Sequence, residues 1–353
     1  MEVGFVIRVA VVGATGYAGV ELVRLLVRHP EAELAMVTSD SHAGIQLSRV
    51  YPHLTGIADF ELQAFDPDRV AEEANVAFLA LPAGLSSTMV PSLRERGVRV
   101  IDLGGDFRIP GPLFREWYKK DPPSDAVREE AVYGLTEWNR ERVAGASFVS
   151  NPGCYPTAAL LGLLPAVRNR GVEADGLIID AKSGVTGAGR GVNLGNHFAE
   201  VAENFKAYKV AEHQHTPEIE YHLAVFGQGS ARVSFTAHLL PMGRGILVTA
   251  YGTLTGEWRE WTTERVWEVY QDAYRQEPFV RVQPAGQWPQ TKEVRGTNLC
   301  DIGLTVERRT GRMIVVSVID NLVKGAAGQA VQNLNVMMGW PETMGLDLVP
   351  MYP

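Results

Sequence analysis

From Val6 to His29 the chain presents an apolar strand, a glycine turn and an amphipathic helix in immediate succession, and no other stretch limits the possible folds so tightly. Val6–Gly13 (VIRVAVVG) is a β-branched run without polar alternation, as expected of a parallel strand buried on both faces. Gly19–His29 carries Val20, Val23, Leu26 and Val27 at helical spacing, and Pro30 stops it. The turn between them, Gly13-Ala14-Thr15-Gly16-Tyr17-Ala18-Gly19, is a GxxGxxG variant whose small residues let the backbone approach a pyrophosphate at a helix N-terminus. Glycines also serve plain tight turns, but strand before and helix after make Gly13, Thr15, Gly16, Tyr17, Ala18 and Gly19 a candidate dinucleotide cradle.

Glu33–Thr38 (ELAMVT), Asn75–Leu81 (NVAFLAL) and Val98–Leu103 (VRVIDL) read as further strands, with a helix over Ser86–Arg96. This alternation predicts an α/β fold, a Rossmann-type doubly wound parallel sheet, over residues 1–150. A chain of 353 residues has room for about two domains. The second differs: Ala231–Leu254 and Thr297–Asn321 are β-rich, with hairpin signals at Met242-Gly243 and Thr310-Gly311, and they predict a mixed sheet in an α+β domain over 151–321. Trp258–Gln276 reads as one amphipathic helix whose stripe of Trp258, Trp261, Trp267, Tyr270 and Tyr274 suits a core or a subunit interface. A last helix, about Gly325–Met338, is expected to cross back, so that about 322–353 rejoins the first domain.

A net charge of −8 disfavours nucleic acid and anionic membrane as partners, although a basic pocket could still sit inside an acidic protein. Two cysteines, Cys154 and Cys300, build neither a disulfide framework nor a Cys-rich zinc site. Met1–Gly13 lacks the basic region and cleavage site of a signal peptide, and no apolar run approaches the ~20 residues of a membrane span; the cytoplasm is the expected location.

The second strand ends in Thr38-Ser39-Asp40-Ser41, with no acid cleanly at its tip and hydroxyls that would accommodate a 2′-phosphate, so NADP is expected rather than NAD. Cys154, in Asn151-Pro-Gly-Cys-Tyr-Pro-Thr157, precedes the apolar run Ala158–Val167 and so falls at a helix N-terminus, where unsatisfied N–H groups stabilise a thiolate. Cys300 lies within a strand-like run and reads as core. Glu212-His213-Gln-His215-Thr-Pro217 puts two imidazoles before a helix over Pro217–Val225, and a thiolate mechanism needs such an acid–base group. His-x-His with no third ligand is a poor zinc pattern, so no metal is expected.

These segments, with Leu79-Ala-Leu-Pro-Ala-Gly84, Asp102-Leu-Gly-Gly-Asp-Phe-Arg108, Ser183-Gly-Val-Thr-Gly-Ala-Gly-Arg190, His213–Ile219 and Asp320-Asn-Leu-Val-Lys-Gly325, resemble the N-acetyl-γ-glutamyl-phosphate reductases of the aspartate-semialdehyde dehydrogenase superfamily along nearly the whole chain. Pro-Gly-Cys-Tyr-Pro-Thr is the specific element. The resemblance implies NADPH-dependent reduction of N-acetyl-γ-glutamyl phosphate in arginine biosynthesis, a glyceraldehyde-3-phosphate dehydrogenase-like catalytic domain, and a homodimer or homotetramer. It implies Cys154 as nucleophile and His213 as acid–base group, with His215 the alternative imidazole or a substrate contact. Arg108 and Arg190 become candidate partners for the substrate's anionic groups. Ser183 and Asn321 become cofactor contacts, Asn321 at the nicotinamide carboxamide, although its place before the last helix also suits a cap. Three other functions share these features: an aminoadipyl- or glutamyl-phosphate reductase acting on a carrier-protein-linked substrate, which the net charge weighs against, aspartate-semialdehyde dehydrogenase proper, and a cysteine acyl-transferase or hydrolase, which would have no use for a dinucleotide cradle.

Overall fold

The computed structural model describes residues 6–352, so Met1–Phe5 and Pro353, which the expected domains include, lie outside the described residues. Two compact units emerge, the first comprising the chain up to Pro152 plus Ala326–Asp347, the second Gly153–Gly325 plus the chain from Leu348. The expected boundary at residues 150/151 thus falls two residues later, and the return falls near 326 rather than 322.

The first unit holds β1 (Ile7–Val12), β2 (Ala32–Thr38), β3 (Val76–Leu79), β4 (Arg99–Asp102), β5 (Val132–Tyr133) and β6 (Phe148–Ser150) in the order β2-β1-β3-β4-β6-β5. Every pairing is parallel. The unalternated apolar runs are strands covered on both sides: all four residues of β3 are buried, as are the last four of β1. The strand order reverses at β1, and the crevice at the carboxyl end of such a reversal is where α/β sheets bind ligands. Helix α1 (Tyr17–Leu26) buries Leu22, Val23, Leu25 and Leu26, and α2 (Ser86–Glu95) joins β3 to β4. The chain returns to this unit for the helix Gly328–Met338, which a single π-helical turn, Val323–Ala327, precedes.

The second unit holds β7 (Asp175–Gly184), β8 (Lys206–Tyr208), β9 (Arg232–Leu240), β10 (Ile246–Thr253), β11 (Val280–Val282), β12 (Cys300–Glu307) and β13 (Arg312–Ile319) in the order β11-β12-β13-β10-β7-β9-β8. The sheet is mixed, as expected. The Thr310-Gly311 signal is a true hairpin, with β12 and β13 antiparallel and Gly311 at φ +66°. Met242-Gly243 is not one: β9 and β10 are joined by a short turn but separated by β7, which pairs with both. Turn chemistry reports local reversal; which strand enters the gap is decided by long-range pairing. Strand burial alternates on this sheet, and α3 (Cys154–Arg168), α4 (His215–Gly227) and α5 (Thr263–Tyr274) supply its cover. The aromatic helix expected from Trp258 is broken: residues Gly256–Glu260 form a 3-10 turn, Thr262 caps α5 by accepting the Arg265 N–H, and Trp258, Tyr270 and Tyr274 are buried. Among the described residues no helix is long and apolar enough to cross a membrane.

Candidate active site

In the first unit, Gly13 has φ +87°, and a Cβ there would lie 2.6 Å from the Ala80 carbonyl oxygen; a Cβ at Gly19 would strike the Gly13 carbonyl. At Gly16, the N-cap of α1, a Cβ would meet nothing in the protein nearer than 3.6 Å, and no side chain caps the helix. The first and third glycines therefore permit the tight turn, and the second leaves open the approach to N–H groups at a helix N-terminus, which fits a dinucleotide pyrophosphate.

Beside this turn the Thr15 and Ser39 hydroxyls are 2.8 Å apart, Ser39 and Ser41 3.3 Å apart, and the Ser41 hydroxyl lies 2.8 Å from Nδ1 of His42. Asp40 is turned elsewhere, its Oδ1 accepting the Phe65 N–H at 3.1 Å. The tip of β2 thus offers hydroxyls and an imidazole. His42 has no signal in the sequence, since a histidine beside a serine carries no pattern of its own. Arg108 is nearly buried, with Nε donating to the Asn151 carbonyl at 2.9 Å and Nη2 to the Leu103 carbonyl at 2.6 Å. Two of its nitrogens thus strap the backbone ahead of the cysteine turn.

In the second unit Cys154 is the first residue of α3, one position earlier than a core cysteine of that helix would sit, and Gly153 is its N-cap. Tyr155–Val167 are all buried, which fixes the helix and leaves its first residue at the edge. Glu218, fully buried on α4, accepts the Gly153 N–H at 2.8 Å. A Cβ on Gly325 would come within 2.8 Å of the Cys154 Cβ, so only glycine lets that turn pack against Cys154. Cys300 is a fully buried residue of β12, as expected.

His213 is 3% exposed, and its ring lies among those of Tyr155, Tyr208, Phe235 and His215 at centroid distances of 5.6, 5.5, 5.3 and 4.9 Å. Burial, with the Lys209 charge adding to it, pushes its pKa down to about 3. Its Nδ1 accepts the His215 backbone N–H at 3.1 Å, which places the proton of the neutral ring on Nε2. His215 is half-buried and begins α4, two residues before the expected start. Ser183 is buried at the end of β7 and donates to the Gly184 carbonyl. Asn321 accepts the Gly245 N–H at 2.8 Å and donates to the Thr186 hydroxyl at 3.0 Å, clamping the β9–β10 turn to the glycine-rich loop. Arg190 is exposed at the end of that loop. Cys154, His213, Ser183 and Asn321 are thus brought into one unit, and the glycine cradle with Ser39 and Ser41 into the other.

Residues 8–146 match the semialdehyde dehydrogenase NAD binding domain, and residues 154–321 the semialdehyde dehydrogenase dimerisation domain. An N-acetyl-gamma-glutamyl-phosphate reductase of Brevibacillus brevis is 54% identical over 98% of this chain and 100% of its own length. The chain belongs to the N-acetyl-γ-glutamyl-phosphate reductase family. The relative of that name in Bacillus subtilis is 50% identical over 98% of this chain and 100% of its own. Among solved structures, an aspartate semialdehyde dehydrogenase II of Vibrio cholerae superposes with a TM-score of 0.71 over 94% of this chain and 98% of its own, at 17% identity. An aspartate semialdehyde dehydrogenase of Candida albicans, solved with NADP, gives 0.71 at 17% identity, covering 94% of this chain and 99% of that one. At that identity the likeness concerns the fold. The reductase family and the semialdehyde dehydrogenases thus share one architecture, the parallel nucleotide sheet and the mixed sheet described above.

Proposed function

We propose that this chain reduces N-acetyl-γ-glutamyl phosphate to N-acetylglutamate semialdehyde and phosphate, with NADPH, as a step of arginine biosynthesis in the cytoplasm. The observation that carries the reading is Cys154 at the start of α3, in one unit with the caged imidazole of His213. The helix N-terminus favours the thiolate. Its Sγ attacks the acyl carbon, the bond from that carbon to the phosphate oxygen breaks, phosphate departs and takes up a proton, and a thioester remains on Cys154. NADPH supplies the hydride that a thioester accepts and a carboxylate does not. The Nε2–H of His213 donates a hydrogen bond to the carbonyl oxygen as negative charge builds there, and the oxyanion then collapses, the C–S bond breaking to release the aldehyde and return the Cys154 thiolate. The residues that would hold the dinucleotide are Gly13, Thr15, Gly16, Tyr17, Ala18 and Gly19 at the pyrophosphate, and Ser39 and Ser41 with His42 at the 2′-phosphate. Ser183 and Asn321 complete the set at its nicotinamide end. Arg190 and His215 serve the substrate's anionic groups, and Arg108 serves by holding the Asn151 turn.

A second copy of the chain is the partner in this reading, as a homodimer or a homotetramer. On the sheet face opposite the buried positions, Ile178, Leu247, Tyr251, Ile314 and Val316 are only half covered, an apolar surface suited to an identical sheet.

Replacing Cys154 by Ala tests the mechanism. The variant should lose NADP- and phosphate-dependent oxidation of N-acetylglutamate semialdehyde while binding NADPH with nearly unchanged affinity. Retained turnover would remove the thioester. Acetylated and carrier-linked acyl phosphates, assayed side by side, test the substrate: turnover of the carrier-linked one alone would overturn the assignment.

A further inference from the structure

The cage around His213 contains a relay that the mechanism above leaves unused. The Tyr208 hydroxyl donates to the Tyr155 hydroxyl at 3.2 Å, and the Tyr155 hydroxyl donates to the His238 carbonyl at 3.1 Å. Tyr155 follows the nucleophile on α3, Tyr208 ends the short edge strand β8, and His238 lies on β9, where Ala207 of β8 is its ladder partner. Both phenol rings meet the His213 ring edge to face, at 5.6 and 5.5 Å.

The backbone between Tyr208 and His213 is strained. Lys209 and Ala211 have φ of +46° and +60°, values that L side chains rarely adopt, and the Glu212 N–H closes the turn on the Lys209 carbonyl at 3.0 Å. A strained turn holds its shape only if its ends are held. One end is the His213 cage; the other is Tyr208, on a strand of three residues that among the described residues pairs with β9 alone. Burial raises the pKa of both phenols, Tyr208 to about 12, so that both hydroxyls keep their protons and the relay stays intact at neutral pH.

We propose that Tyr208 is a positioning residue of this reaction: its hydroxyl, through Tyr155, anchors the strained turn that delivers His213 and keeps the imidazole dry and in one orientation. The inference rests on the assignment of His213 as the group at the carbonyl oxygen. The titratable groups facing that imidazole are Tyr155 from α3, Tyr208 from β8, Lys209 from the turn and His215 from α4.

Tyr208→Phe keeps the ring and removes the anchor. The expected result is a kcat lower by roughly 10- to 100-fold with KM little changed, as for a small misplacement of a reacting group. The acid limb of the kcat–pH profile should also move upward, because water admitted to the cage lets the imidazole protonate nearer its ordinary value. Tyr155→Phe should behave alike. In a His213→Asn background Tyr208→Phe should cost nothing further, since both changes act on one group. A wild-type kcat in Tyr208→Phe, an unshifted pH limb, or the same loss in the His213→Asn background overturns the proposal. If His213→Asn itself keeps full rate, the assignment of His213 falls instead. Iodoacetamide labelling of Cys154, at the wild-type rate in each variant, reports that the site is folded.

Discussion

The Glu218 carboxylate accepts the backbone N–H of Gly153 at 2.8 Å, one residue ahead of Cys154, and so ties α4 to the turn that presents the thiol. Glu218 is fully buried. Glu218→Ala leaves that N–H without this acceptor, a loss that costs about 1–3 kcal/mol when the donor is buried. Urea denaturation should register that loss, and iodoacetamide should alkylate Cys154 at an altered rate because its turn is released. Glu218→Gln keeps an acceptor oxygen and should recover most of the stability. If Glu218→Ala unfolds and alkylates like the parent, the tie is dispensable.

The two imidazoles of the His-x-His pair are expected to differ sharply. His213→Asn should lower the rate far more than His215→Asn, because only His213 is caged and has its Nδ1 fixed by a backbone N–H. The opposite ranking would hand the role to His215. Burial, then Lys209, lowers the His213 pKa to about 3 from 6.5. The folded protein therefore refuses a proton that the unfolded chain takes up, and the stability this group contributes is complete above pH 6.5 and lost as pH falls towards about 3. Between pH 6.5 and 5 the wild type should lose about 2 kcal/mol relative to His213→Asn. Denaturation at both pH values measures this, and parallel pH dependences would refute it.

How much of this was legible in the sequence follows from what each feature depends on. The glycine turn and Cys154 at its helix start are local: small residues, prolines and an apolar run fix them within about ten positions. The Rossmann order follows from alternating strands and helices. Glu218 stood inside the recognised His213–Ile219 segment, yet nothing local marks it, since its function depends on α4 packing against α3. Arg108 was expected to face an anion; its Nε and Nη2 reach backbone carbonyls that its own loop and the Asn151 turn bring together. Asn321, expected at a carboxamide, is in addition held by both side-chain ends on neighbouring loops. Long polar side chains report chemistry, and only the folded chain says which partner takes it.

The hydroxyl cluster at the β2 tip makes cofactor choice testable. Ser39 bonds Thr15 on one side and approaches Ser41 on the other. Ser39→Ala should weaken NADPH binding by about 1 kcal/mol and leave NADH unchanged, whereas Ser39→Asp should favour NADH by repelling the 2′-phosphate. The kcat/KM ratio for the two cofactors is the measurement. An unchanged ratio in Ser39→Asp would place 2′-phosphate recognition elsewhere.

Asp102 carries an opposite pH signature in the first unit. It ends β4 fully buried, and its Oδ1 accepts the Ser86 hydroxyl at 2.7 Å and the Gly104 N–H at 2.9 Å. Burial pushes its pKa up to about 6 from 3.8, against the lowering effect of those hydrogen bonds. The folded state therefore holds the proton more tightly than the unfolded chain. Stability from this group is complete below pH 3.8 and lost as pH rises through about 6. At pH 7.5 the protein bears the cost of a buried carboxylate, of order 3 kcal/mol by the same linkage. Asp102→Asn is neutral throughout and keeps an oxygen for Ser86 and Gly104. It should unfold at higher urea than the wild type at pH 7.5, and the advantage should shrink as the pH is lowered to 4. A difference between the two proteins that stays constant over that range would mean that Asp102 does not titrate there.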